Sequence, residues 1–151
     1  MTQKRIQMPK IIKNINTILA NTYSLYLKTQ NYHWCVTGPY FAQLHTLFEN
    51  QYEELVEAVD TIAERIRATG SMPLAGFEDF IKARTLKDGD STNNWQLMIQ
   101  DLIADHKTIL ANLYEVIKIC EQKGDEATLD LIVERIRSHE KTSWMLKAHL
   151  D

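Results

Sequence analysis

One stretch of the sequence concentrates acidic residues at helical spacing. Residues 40–64 contain six carboxylates and no Lys or Arg. Like charges at i,i+4 destabilise a helix, so a face that only had to be soluble would interleave Lys. This face is expected to meet something cationic, and a solvated acidic surface is the simpler alternative. At 100° per residue, one histidine and five carboxylates share about 120° of the helix surface: His45, Glu49, Glu53, Glu57, Asp60 and Glu64.

A second histidine, His33, strengthens the case for a metal. It falls in the register of apolar positions, where a core histidine without a ligand role is the alternative interpretation. His33 lies five residues before Gly38, and His45 lies six residues after Pro39. Two helices that fold back at this turn would bring both imidazoles to the same level. Two imidazoles beside carboxylates suit a divalent metal such as Fe²⁺, Mn²⁺ or Zn²⁺.

The spacing along the acidic helix limits how a metal could be held. His45 and Asp60 are 15 residues apart, which is about 22 Å along a helix, so they cannot bind one ion within one chain. Either there are two separate sites, or the site is shared between chains. Two antiparallel copies, related by a two-fold axis near residues 53–54, would place His45 against the partner copy's Asp60 and Glu64, and would create two equivalent sites. No Glu has a His three residues later, which disfavours the di-iron site inside a bundle.

The elements that position these residues are helices. Stretches of about 25–30 residues lack Gly and Pro, and breakers at Pro9, Gly38-Pro39, Gly70 and Gly124 separate them. Each stretch carries an apolar stripe that recurs every three or four residues. The stripes are Ile11, Ile15, Ile18, Thr22, Leu25, Thr29, Tyr32 and Val36; Leu44, Phe48, Leu55, Val59, Ile62 and Ile66; Met98, Leu102, Ile109, Leu113, Ile117 and Cys120; and Leu129, Ile132, Val133 and Ile136.

Four such helices with one long connection predict an all-α, ferritin-like four-helix bundle. Residues 1–8 form a short tail and residues 9–151 the bundle. The crossover, roughly residues 71–93, is too long to be structureless, and residues 78–84 are expected to form a short helix inside it. Ser91 and Thr92 are expected to cap the third long helix.

Composition and cysteine usage indicate the cellular compartment in which the protein is expected. The chain has 151 residues, of which 44% are hydrophobic and 25% charged, as in ordinary globular proteins. No apolar run reaches the roughly 18 residues that a membrane helix needs, and no signal-peptide core is found near the start. Cys35 and Cys120 form no CxxC pair. A reducing cytosol, without membrane association, fits best.

Two stretches of the sequence resemble the Dps family, the mini-ferritins named as DNA-binding proteins from starved cells. The first stretch contains His33, then His45 twelve residues later, Asp60 fifteen residues after that, and Glu64 four residues after Asp60. The first stretch contains Asn31-Tyr32-His33-Trp34, Gly38, His45 and Asp60-Thr61-Ile62-Ala63-Glu64-Arg65, and ends at Gly70. The second contains residues 124–131, His139-Glu140-Lys141 and Trp144-Met145-Leu146.

This resemblance implies a hollow dodecamer with ferroxidase centres at two-fold interfaces. It assigns His33 and His45 of one chain, with Asp60 and Glu64 of its neighbour, as iron ligands, and places Glu49 near the centre. Family members oxidise Fe²⁺, preferably with hydrogen peroxide, and store the ferric mineral inside. The implied function is iron storage that protects the cell against oxidative damage.

Other roles come with simpler alternatives. Trp34 would intercept stray radicals or simply pack. Glu53 and Glu57 would face the cavity and nucleate mineral, or remain solvated. In this family, acids placed like Asp125, Asp130 and Glu134 line a pore at three-fold axes through which iron enters; the alternative is that they stabilise a helix N-terminus.

DNA binding is the alternative function that the family's name suggests. The first 48 residues carry five basic and no acidic side chains, whereas the remainder carries 12 basic and 20 acidic ones. The tail offers only Lys4 and Arg5, with Lys10 and Lys13 close behind. Twelve copies at −3 each would carry about −36, which disfavours phosphate binding.

Four residues remain to be interpreted. Cys35, two residues after His33, is expected to be a small buried hydrophobe, and a redox role is the alternative. No metal partner is evident for His106, His139 or His149.

Overall fold

The computed structural model describes residues 8–151, and helices dominate this range. Lys4 and Arg5 lie outside the described residues. Four long helices of 22–29 residues and a short one in the crossover confirm the predicted all-α bundle, and no strand occurs in the described range. The helices are α1 (Lys10–Cys35), α2 (Phe41–Ala68), α3 (Phe77–Ala83), α4 (Trp95–Lys123) and α5 (Glu126–Lys147).

The helices pack as two hairpins. α1 lies along α2, α4 lies along α5, and α1 joins the two hairpins by packing against α4. The apolar stripes predicted from the sequence form the core between them. Every predicted position of the first stripe is buried, and those of the other stripes are buried or half-buried. Within residues 8–151, no helix is both long enough and apolar enough to cross a membrane.

Two asparagines of α1 tie the crossover to the bundle. The Asn16 side-chain carbonyl accepts a hydrogen bond from the Leu74 amide at 2.9 Å. The Asn21 carbonyl accepts from the amides of Thr85 and Leu86, at 2.8 and 3.3 Å. Each asparagine satisfies backbone groups that the irregular crossover would leave unpaired. These two buried polar residues of α1 therefore hold the crossover that joins the two hairpins.

The turns and caps explain where the helices begin and end. Gly38 adopts φ +106° in the turn between α1 and α2, a conformation that glycine tolerates best. The prediction that Ser91 and Thr92 cap the third long helix is wrong. The Asn94 side chain caps it instead, by accepting from the Leu97 amide at 2.9 Å, because α4 begins only at Trp95.

Candidate metal centre

His33 and His45 come together beside the turn between α1 and α2. His33 is in the last turn of α1 and is buried, and His45 is in the second turn of α2 and is half-buried. Their rings stack with centroids 3.8 Å apart and an interplanar angle of 16°. The hairpin therefore brings both imidazoles to one level, as the spacing around Gly38 predicts.

Reciprocal hydrogen bonds hold the two rings in place. Nδ1 of His33 lies 2.6 Å from the backbone oxygen of His45, and Nδ1 of His45 lies 2.8 Å from the backbone oxygen of His33. A carbonyl oxygen only accepts, so each Nδ1 must carry the proton. With the proton on Nδ1, the neutral form of each ring has its lone pair on Nε2. This is how proteins orient metal-ligating histidines, with the second nitrogen fixed by a backbone carbonyl.

Two aromatic side chains that the sequence reasoning missed enclose the pair. Phe41 stacks on His45 with centroids 5.2 Å apart, and Tyr52 packs edge-on against His33 at 5.2 Å. Desolvation raises the pKa of Tyr52, and the Glu49 and Glu53 carboxylates raise it further. Tyr52 lies two helical turns after His45, so its i+7 spacing on the same face was the available signal.

The acidic face of α2 extends away from the histidine pair. Glu49, one turn after His45, is half-buried, and the other four carboxylates are exposed: Glu53, Glu57, Asp60 and Glu64. None of the five forms an ion pair within residues 8–151. α2 is one uninterrupted helix, so Asp60 stays about 22 Å from His45 in the same chain.

A single chain does not bring together all the ligands predicted from the sequence. It joins His33 to His45, with Glu49 nearby on α2, and leaves Asp60 and Glu64 at a distance. Among the described residues of one chain, no group of three or more His, Cys, Asp or Glu side chains is arranged to hold a metal ion.

The two residues that follow His33 are exposed or half-buried in the single chain. Trp34 is 62% exposed, so most of its side chain is uncovered in one chain. Cys35 is half-buried with a free thiol and lies against the core, whereas Cys120 is buried. Cys35 was expected to be buried and is only partly so.

The three acids predicted to line a pore differ in their surroundings. Asp125 caps α5 by accepting from the Thr128 amide at 3.1 Å, and it pairs with Arg65 at 3.3 Å. The Thr128 hydroxyl, which also donates to it, keeps the pKa of Asp125 below its usual value. Asp130 and Glu134 are exposed on α5. Asp125 therefore takes the alternative role of stabilising a helix N-terminus. Asp130 and Glu134 do not take that role, so the pore prediction stays open for them.

Comparison with known proteins defines the class to which this fold and site belong. The model of the Ferritin-like domain family matches residues 12–151. An uncharacterized low temperature-induced protein of Nostoc sp. is 36% identical over 96% of this chain and 82% of its own length. DNA protection during starvation protein 2 of Bacillus anthracis is 32% identical over 94% of this chain and 97% of its own length.

A solved structure narrows the class further. The Dps protein from Vibrio cholerae O1, described as a member of a superfamily of ferritin-like diiron-carboxylate proteins, superimposes with a TM-score of 0.91. It is 32% identical, with 94% of this chain and 89% of that chain covered. The chain belongs to the Dps family of ferritin-like proteins.

Proposed function

We propose that the protein is an iron-storing mini-ferritin that oxidises Fe²⁺, preferably with hydrogen peroxide, at centres shared between two copies of the chain. The observation that carries this proposal is the histidine pair. Both Nδ1 atoms are bound to backbone carbonyls, so both Nε2 lone pairs are left for a metal. The diiron-carboxylate description of the Vibrio cholerae relative supports iron as that metal.

A second copy would complete the ligand set. His33 and His45 would come from one chain, and Asp60 and Glu64 from its partner, with Glu49 close to the centre. Glu53, Glu57, Asp60 and Glu64, the four exposed carboxylates on the same face as His45, have no cationic partner within residues 8–151, which supports a cationic occupant. An antiparallel pair of α2 helices would create two equivalent centres about its two-fold axis.

The donor set suits oxidation of iron. Carboxylates are hard, anionic donors, so they stabilise Fe³⁺ more than Fe²⁺. Few protein ligands per iron leave room for the oxidant. Peroxide takes two electrons from two Fe²⁺ ions and two protons from solvent, and gives two waters. Because this reaction removes Fe²⁺ and peroxide together, it suppresses formation of hydroxyl radicals.

Storage would follow from assembly into a shell of twelve copies. Glu53 and Glu57 on the exposed face of α2 would nucleate the ferric mineral. Asp130 and Glu134, with Asp125 at the start of α5, would line a pore at the three-fold axis. A ring of carboxylates focuses cations, so iron would enter there.

The first measurement is native mass by light scattering after gel filtration. A shell of twelve gives roughly 210 kDa at 17.5 kDa per chain. A monomer under physiological conditions would exclude the shared centre, because His45 and Asp60 could not meet. A dimer would permit iron oxidation and remove the cavity.

Co-assembly of two inactive variants tests sharing directly. His45→Ala and Asp60→Ala should each abolish rapid Fe²⁺ oxidation by peroxide. In a random mixture half of the two-fold pairs contain both variants, and each mixed pair holds one intact centre and one doubly damaged centre. Co-expression should therefore restore about a quarter of the wild-type rate. Centres contained within one chain would give no restoration, which would refute the shared site.

DNA compaction remains the alternative function. The name of the Bacillus anthracis relative supports testing it, whereas the net charge of −3 per chain opposes it. A mobility shift at low salt that is lost on truncation before Pro9, and kept in His45→Ala, would establish DNA binding independently of iron. The expected location of either activity is the cytoplasm.

A further inference from the structure

A cluster of polar side chains lies inside the bundle, apart from the histidine pair at the turn. Arg135 of α5 is 5% exposed, and its guanidinium donates to both carboxylate oxygens of Glu54 on α2. Nη2 of Arg135 lies 3.2 Å from Oε2 of Glu54 and 3.3 Å from Nε2 of His139. A carboxylate oxygen and an imidazole nitrogen therefore converge on one guanidinium nitrogen.

The two groups that meet at Nη2 are of the kinds that bind divalent metals. Carboxylate oxygens and imidazole nitrogens together suit ions such as Fe²⁺ and Zn²⁺. Arg135 can only donate, so Nε2 of His139 accepts and the proton of this ring is on Nδ1. That proton is donated to Nδ1 of His106 at 2.8 Å, which fixes the ring as metal-ligating histidines are usually fixed. A metal in place of Nη2 would hold both donors at about 2.1 Å, roughly 1 Å closer than they lie now.

A further buried side chain beside the cluster has no partner. Gln51 lies three residues before Glu54, on the same face of α2, and is 8% exposed. Neither its amide nitrogen nor its amide oxygen forms a hydrogen bond with any residue in the range 8–151. An amide that is buried unpaired costs free energy. Its oxygen is a neutral donor next to the carboxylate that already binds Arg135.

A groove connects the cluster to solvent. It has a volume of about 310 Å³ and lies between α2 and α5, where Gln51, Glu54 and Ser138 are among the residues that line it. The Glu54 side chain is 42% exposed, so its carboxylate meets both solvent and Arg135. A divalent ion in the groove would therefore reach an anionic oxygen first.

The Arg135 guanidinium closes this place to a metal in two ways. It fills the point where the donors converge, and it carries a positive charge that it cannot lose. Burial holds the pKa values of His106 and His139 below their ordinary value, so both rings are neutral and only Glu54 balances the guanidinium. With Arg135 in place, no three His, Cys, Asp or Glu side chains of residues 8–151 are arranged to hold a metal ion.

We propose that Arg135 takes the place of a metal ion inside the bundle and so confines iron to the centres at the turn between α1 and α2. This inference rests on the proposed function, because iron is what is confined. Arg135 touches neither iron nor peroxide, and it determines where Fe²⁺ binds. A single Fe²⁺ inside one chain would reduce peroxide by one electron, to Fe³⁺, hydroxide and a hydroxyl radical. Two Fe²⁺ ions at a shared centre reduce it by two electrons and avoid that radical.

Cobalt binding by the assembled protein tests the inference. Co²⁺ stands next to Fe²⁺ in its ligand preferences, and its visible absorbance changes when side chains bind it. Arg135→Ala removes the charge and the bulk of the guanidinium, so it should bind one Co²⁺ per chain more than wild type. Adding His139→Gln to this variant should abolish the gain. Equilibrium dialysis counts the ions, and the absorbance reports their ligands.

Three further variants serve as controls. Arg135→Lys keeps a cation in the cluster and should bind no more Co²⁺ than wild type. Arg84→Ala frees the exposed carboxylate of Asp88 from an ion pair elsewhere in the chain, and it should also show no gain. Arg135→Gln replaces the guanidinium by a neutral amide, so it should show the gain even where Arg135→Ala fails to assemble.

Three results would overturn the inference. The first is wild-type Co²⁺ stoichiometry in both Arg135→Ala and Arg135→Gln. The second is an equal gain in Arg135→Lys, which would show that the fixed charge does not exclude the metal. The third is a gain that survives His139→Gln, which would place the additional ion elsewhere.

Iron oxidation connects the cluster to the proposed centres. With one Fe²⁺ per chain, Arg135→Ala should oxidise iron roughly twofold more slowly than wild type, because the ion divides between two kinds of site. Adding His139→Gln should restore the rate. A wild-type rate in an Arg135→Ala protein that has gained Co²⁺ would show that iron is not diverted, and would overturn the confinement.

Failure of the inference and failure of the function are separable. The ferric absorbance of wild type after two Fe²⁺ per peroxide reports the function alone. Wild type that forms no ferric product refutes the function, and the confinement of iron with it. Wild type that oxidises iron normally, while neither neutral variant gains Co²⁺, refutes only the role of Arg135.

Discussion

His33 and His45 lie beside the turn between α1 and α2, whereas His106 and His139 face each other between α4 and α5. In the first pair each Nδ1 donates to a backbone carbonyl and both Nε2 atoms remain available. In the second pair the two Nδ1 atoms bond to each other at 2.8 Å. Both residues of the second pair are 1% exposed.

The second pair belongs to a chain of hydrogen bonds that fixes its protons. Arg135 can only donate, so its guanidinium donates to Nε2 of His139 at 3.3 Å. His139 must then donate from Nδ1 to Nδ1 of His106. The proton of His106 is left on Nε2, which has no partner among the described residues. Arg135 is itself held by two bonds to the Glu54 carboxylate.

The difference shows that burial and hydrogen-bond partners together decide whether a histidine can bind a metal ion. Burial, together with the smaller effect of the Arg135 charge, lowers the pKa of His106 to about 3. Burial also holds the pKa of His139 well below its ordinary value, and His106 and Arg135 add to this shift. The Arg135 guanidinium beside this neutral pair disfavours the binding of a proton or a metal cation. The pair at the turn has carboxylates next to it instead.

The strongest test of the difference between the two pairs is to remove one histidine from each. His45→Ala should lower the rate of Fe²⁺ oxidation on the order of 100-fold and cost about 1 kcal/mol of stability. His139→Ala should cost about 4 kcal/mol, since it leaves a cavity and unpairs Arg135 and His106. Its iron oxidation per assembled shell should be unchanged. Urea unfolding and stopped-flow absorbance measure the two quantities.

Sequence reasoning found the first pair and missed the second for a physical reason. His33 and His45 flank one short turn, so their meeting follows from the hairpin alone. His106 and His139 lie on different helices, 33 residues apart. Their meeting depends on the relative rotation of α4 and α5, which periodicity does not fix. The hydrogen bonds from Nδ1 of His33 and His45 could not be predicted from the sequence either, because their acceptors are backbone carbonyls.

Helix periodicity predicted which residues form the core better than it predicted where each helix begins and ends. Apolar stripes determine which face is buried, so the four long helices and their core followed from spacing. Ser91 and Thr92 were as good caps by residue type as Asn94, and only the start of α4 distinguishes them. Five acids of the α2 face were identified by type and spacing (Glu49, Glu53, Glu57, Asp60 and Glu64), and within residues 8–151 no Lys, Arg or His forms an ion pair with them.

The buried pair should make stability depend on pH. The pKa values of His106 and His139 are lower in the folded chain than the unfolded value near 6.5. The unfolded chain therefore binds more protons as pH falls below about 6.5, and stability is lost by up to about 1.4 kcal/mol per pH unit for each histidine. The free energy of unfolding should begin to fall below about pH 6.5, should continue to fall towards pH 3, where His106 titrates in the folded chain, and should stay level above about pH 7.5.

Two variants identify the source of that pH dependence. His106→Gln removes one titrating group and should flatten the slope, whatever its effect at neutral pH. His149→Gln, at a half-buried position away from the buried pair, should leave the slope of wild type. Urea unfolding at one protein concentration measures all three proteins, because assembly makes stability concentration-dependent. Parallel slopes in His106→Gln and wild type would show that the pair is not responsible.

Neutralising Glu54, whose carboxylate holds Arg135 beside the buried pair, should lower the free energy of unfolding by less than His139→Ala does. Glu54→Gln leaves the Arg135 guanidinium, with its side chain 6% exposed, facing a neutral amide. Since the Glu54 side chain is 42% exposed, solvent screens part of the charge, and the cost should be about 2 kcal/mol. The matched control is Glu115→Gln, because the exposed pair of Glu115 with Lys118 should contribute nothing measurable. Equal effects of the two substitutions in urea unfolding would contradict a structural role for the Arg135 pair.

The smallest predicted effect concerns the turn that aligns the first pair. Gly38→Ala would place a Cβ at φ +106°, 3.2 Å from the Trp95 ring, and should cost about 1–2 kcal/mol. Gly70→Ala has a similar positive φ with no atom within 4 Å of the added carbon, so it controls for backbone strain alone. Because only Gly38 sets the level at which His33 meets His45, its substitution should also slow iron oxidation, and Gly70→Ala should not. Equal rates in the two variants would mean that the reciprocal carbonyl bonds hold the rings together without help from the turn.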